Sequence, residues 1–110
     1  MTEFDEHREA TPVVGTARLL GPVAVAQQTT VRTIASVYEL DPPARGHRNV
    51  VVHAVEVDCI VNQEPNLTRM TIVYPSTPQG EPTAAIPLHR LYDAIDHLAA
   101  LEELGYRVAL

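Results

Sequence analysis

Residues 49–63 limit what this chain can fold into more than any other segment, because a period of two runs through them unbroken. Val51, His53, Val55, Val57, Cys59 and Val61 fall on one side of an extended strand. Val50, Val52, Ala54, Glu56, Asp58 and Ile60 fall on the other, which turns polar only toward its far end. The uninterrupted apolar side is therefore expected to pack against a core along its whole length.

Such a strand needs neighbours, and the flanking segments supply them. Residues 30–40 place Ile34, Ser36, Tyr38 and Leu40 opposite Thr33, Ala35, Val37 and Glu39, with neither side cleanly polar. Residues 67–75 carry Met70, Ile72 and Tyr74 on one side. With residues 49–62 these segments predict a meander of two hairpins. Asp41-Pro42-Pro43-Ala44-Arg45-Gly46-His47-Arg48 reads as a loop, since two prolines cannot donate to a ladder and Gly46 permits positive φ. Glu64-Pro65-Asn66 reads as a turn, and residues 75–82 as a proline-rich surface loop. An earlier strand is expected over 13–20, closed by Gly21-Pro22, and a short final one over 106–110. Gln27, Gln28, Thr29 and Thr30 either bend the β-like stretch 23–40 or split it in two. Fourteen valines against one Phe and no Trp suit this reading, because β-branched side chains fit a pleated surface.

Near the C-terminus the period changes. Leu88, Leu91, Tyr92, Ile95, Leu98 and Ala99 recur at spacings of three and four, which predicts an amphipathic helix over 88–104. Pro87 would occupy its first position and Gly105 its left-handed end. The architecture expected is α+β: an antiparallel meander of four to five strands with one C-terminal helix laid on one face. At 110 residues the chain suits one domain, assigned to 12–110, behind a mobile acidic tail over 1–11.

Charge narrows the function classes. The net charge is −6, with 14 acidic residues and eight basic ones, all Arg. Nucleic-acid binding, which needs clustered cations, is disfavoured, and Schiff-base lysine chemistry has no residue to use. Cys59 is the sole cysteine, so no intrachain disulfide can form. No apolar run approaches the ~20 residues of a membrane span, and the acidic N-terminus lacks a signal-peptide core. A cytoplasmic location with no membrane contact is the expectation.

Few side chains form a catalytic pattern. His89, Asp93 and His97 would share one face of the expected helix, but the outer pair would be ~12 Å apart, too far for one metal ion. Glu56 and Asp58 lie ~7 Å apart on one strand face, a spacing compatible with paired carboxylates but commoner on a solvated face. His53 among valines suits a hydrogen-bonded core residue, and Cys59 a small buried one. An acidic-pocket hydrolase or isomerase using Glu56, Asp58 and His53 is the enzymatic alternative. Arg45, His47 and Arg48 concentrate positive charge at a hairpin tip, and could grip a phosphate, a nucleic acid or an acidic partner, although such tips are usually charged because they are wet. No cofactor or metal is expected. The leading expectation is a non-enzymatic interaction module that binds a protein partner or a second copy of itself as a homodimer, because residues 23–40 are apolar on both sides and sheet edges pair readily.

Overall fold

The structure, a computed structural model, describes residues 12–109; the segment 1–11 read as an acidic tail lies outside them. Six strands form one sheet: β1 (Gly15–Val23), β2 (Val31–Ala44), β3 (His47–Val61), β4 (Glu64–Pro75), β5 (His89–Tyr92) and β6 (Tyr106–Ala109). Among the described residues one helix, α1 (His97–Leu104), lies between the last two. The spatial order is β5-β4-β3-β2-β1-β6. Neighbours through β5 to β1 run antiparallel, but β6 runs parallel to β1, with Gly15 opposite Tyr106 and Arg18 opposite Ala109. The fold is thus α+β with a mixed sheet of six strands, not an antiparallel meander of four or five. The parallel pair has a simple cause. β5 and β6 occupy opposite edges, and a chain that crosses the sheet through a helix returns in the direction it left.

The two hairpins are longer and tighter than the sequence suggests. Strand pairing continues through the expected 41–48 loop to Ala44 and resumes at His47, leaving only Arg45 and Gly46 to turn the chain. Both have positive φ, 51° and 83°, the geometry of a two-residue turn matched to strand twist. An irregularity in register between Glu39 and Ala44 accommodates the prolines. The second turn is at Asn62 and Gln63, with φ 54° and 67°, and not at Glu64-Pro65-Asn66. Pro65 instead lies within β4 opposite Ile60, beyond the stretch covered by β5, where its missing N–H costs no ladder bond. Gly21-Pro22 does not end β1, which bulges between Leu19 and Gly21 and continues to Val23. Between Val23 and Val31 the long β-like stretch does split, and the Gln27 amide bonds both the Thr33 carbonyl (2.8 Å) and the Thr33 N–H (3.0 Å), as another strand would.

The helix expected over 88–104 forms only in its second half. Residues 89–92 alternate half-buried His89 and Leu91 with exposed Arg90 and Tyr92, and pair with β4. Asp93 then turns the chain at φ 63°, and Asp96 caps the helix by accepting from the Ala99 N–H at 3.0 Å. Gly105 ends it in the left-handed conformation, φ 104°. Buried Thr71 fixes the entry: its hydroxyl donates to the Ala94 carbonyl and accepts from the Asp96 N–H, both at 2.9 Å.

That anchor decides which face α1 covers. Leu101 and Ala100 pack with Ala17, Tyr38, Leu40, Val50, Val52 and Val73. The covered side of β3 is therefore that of Val50 and Val52, whose far end carries Glu56 and Asp58, and not the uninterrupted side of Val51 and Val55. On that opposite face a smaller cluster of Ala35, Val37 and Val51 is closed by Val23, Val25 and Tyr74.

Candidate functional site

Opposite α1 the sheet holds an apolar surface, with no described element laid over its distal half. Cross-strand register aligns Val31 with Val57 and Thr33 with Val55 on one side of β3. On the other side Val55 aligns with Met70 and His53 with Ile72. All seven are half-buried. Cys59 extends the row and is also half-buried; its thiol lies 3.5 Å from the Asn66 carbonyl. Among the described residues of β2, β3 and β4 no Asp, Glu or Arg shares this block, which we call the open face, but Arg90 of β5 lies beside it, opposite Ile72. At the same level on the helix side, charge is plentiful. Arg32 donates to both Asp58 oxygens (3.0 and 3.4 Å) and reaches Glu56 at 3.5 Å, while Arg69 donates to Glu56 at 3.0 Å. Ile34, Ile60 and Leu67, all exposed, share that charged side.

The carboxylates proposed for catalysis belong to that solvated network. The hydrogen bond from Arg32 holds Asp58 below the usual carboxylate range and raises the arginine itself. A general acid needs the reverse shift. His53 points from the opposite face, stacked edge-on against Tyr74 with ring centroids 5.5 Å apart, so the three residues do not converge. Burial lowers the His53 pKa, and the His97 charge acts in the same direction.

His89, Asp93 and His97 do not share a helix face either, because they fall in β5, a turn and the first position of α1. His89 bonds Glu103 at 2.7 Å. His97 Nε2 lies 3.3 Å from the Ile34 carbonyl, and Nδ1 lies 3.5 Å from the Tyr38 hydroxyl. The carbonyl can only accept, so the neutral ring carries its proton on Nε2. Burial lowers the His97 pKa, outweighing Ile34 and Asp96, which raise it. Among the described residues no group of three His, Cys, Asp or Glu side chains is placed to hold a metal ion.

The hairpin tip of Arg45, His47 and Arg48 forms as a tight turn with both arginines exposed and His47 half-buried. Among the described residues no carboxylate pairs with either arginine. A further apolar surface, not anticipated from sequence, lies beside α1. Leu19, Tyr38, Leu98 and Val108 line a groove of about 550 Å³, and Ile34 nearby is 70% exposed. Its residues come from four separate elements, so no local pattern announces it. No described helix is long and apolar enough to cross a membrane. No family model, curated protein or solved structure matches the chain.

Proposed function

We propose that this chain is a non-enzymatic protein-interaction module that offers sheet surface to a second copy of itself or to a protein partner. One observation carries the reading: the open face is apolar, with Arg90 at its β5 border and no described element over its distal half, while the reverse of the same hairpin bears two arginines and two carboxylates in contact. An apolar face without a covering layer gains free energy when it is removed from water. Light scattering across a concentration series, together with capture of partners from cells of the source organism by a tagged chain, tests the proposal. A strict monomer that captures nothing sinks it.

A second reading rests on the unpaired arginines of the tip. Arg45 and Arg48 would contact a phosphate or nucleic-acid backbone weakly, against the repulsion of a chain carrying −6 overall. Retention on heparin at low salt that disappears in Arg45→Ala/Arg48→Ala supports it; elution in the void volume ends it.

A further inference from the structure

We draw no further inference here: the strongest candidate, the half-buried apolar face of β2, β3 and β4 opposite α1, bordered by Arg90 of β5, carries nothing because nothing in the structure shows what covers it.

Discussion

Buried Thr71 shows how a single hydroxyl can determine which side of a sheet a helix occupies. Its oxygen serves the Ala94 carbonyl and the Asp96 N–H together, at zero exposure. Thr71→Val keeps the shape and strips both partners of their bond. The variant should lose about 1–3 kcal/mol in urea unfolding, with the earliest loss of amide-exchange protection at the start of α1. Gly80 is constrained differently. Its φ is 94°, and an added Cβ would stand 2.5 Å from a Val23 methyl and 2.8 Å from a Val37 methyl. Gly80→Ala should therefore cost about 2 kcal/mol, from strain and overpacking together. The histidines give a pH dependence whose direction is fixed. Folding holds His53 and His97 below their ordinary 6.5, so the unfolded chain binds protons first as pH falls. Their contribution is whole above pH ~6.5 and is lost progressively as pH drops through that value toward their folded pKa values. Urea midpoints should be lower at pH ~5 than at pH ~7.5, and the drop should be smaller in His97→Gln, which removes one of the two titrations.

Among the elements, the β2–β3–β4 meander is legible in the sequence because its signal is local: alternation within each strand, and turn residues between them. The Asn62-Gln63 turn is masked because Pro65 is the louder turn signal, yet a proline beyond the reach of β5 costs nothing. The turn's geometry makes a prediction. Gln63 has φ 67°, which a glycine adopts without penalty, so Gln63→Gly should raise the melting temperature, by about 0.5–1 kcal/mol of added stability. β5 is illegible for the opposite reason. Leu88, Leu91 and Tyr92 fit a helical stripe as well as they fit an edge strand, and what decides is non-local. The β4 backbone accepts from the Leu88 N–H at Val73 and from the Asp93 N–H at Arg69, and nothing near residue 90 reveals that those carbonyls wait there. The choice of face is hidden in the same way. Both sides of β3 are apolar from Val50 to Val55, so composition does not say which side the helix takes. The tip at Arg45, His47 and Arg48 carries its turn signal locally, in Gly46, whereas the groove beside α1 requires four elements to meet.

At the scale of the whole molecule, charge and apolar surface make opposite demands on association. A contact built on complementary charges weakens as salt rises, because screening removes the attraction. Two copies of net charge −6 meeting through mainly apolar rows should do the reverse: sedimentation equilibrium should show a Kd that falls as sodium chloride increases. A Kd that rises with salt would point to the Arg45 and Arg48 tip as the contact instead.

The amide of Gln27 has one more consequence. By occupying both backbone groups of Thr33, it removes from the β2 margin the donor and acceptor that a stranger's main chain would need to dock there. Open margins propagate, since each arrival leaves a fresh one behind, whereas a two-fold contact between faces is exhausted by the first pairing. At that stretch of β2, a blocked margin disfavours growth into filaments.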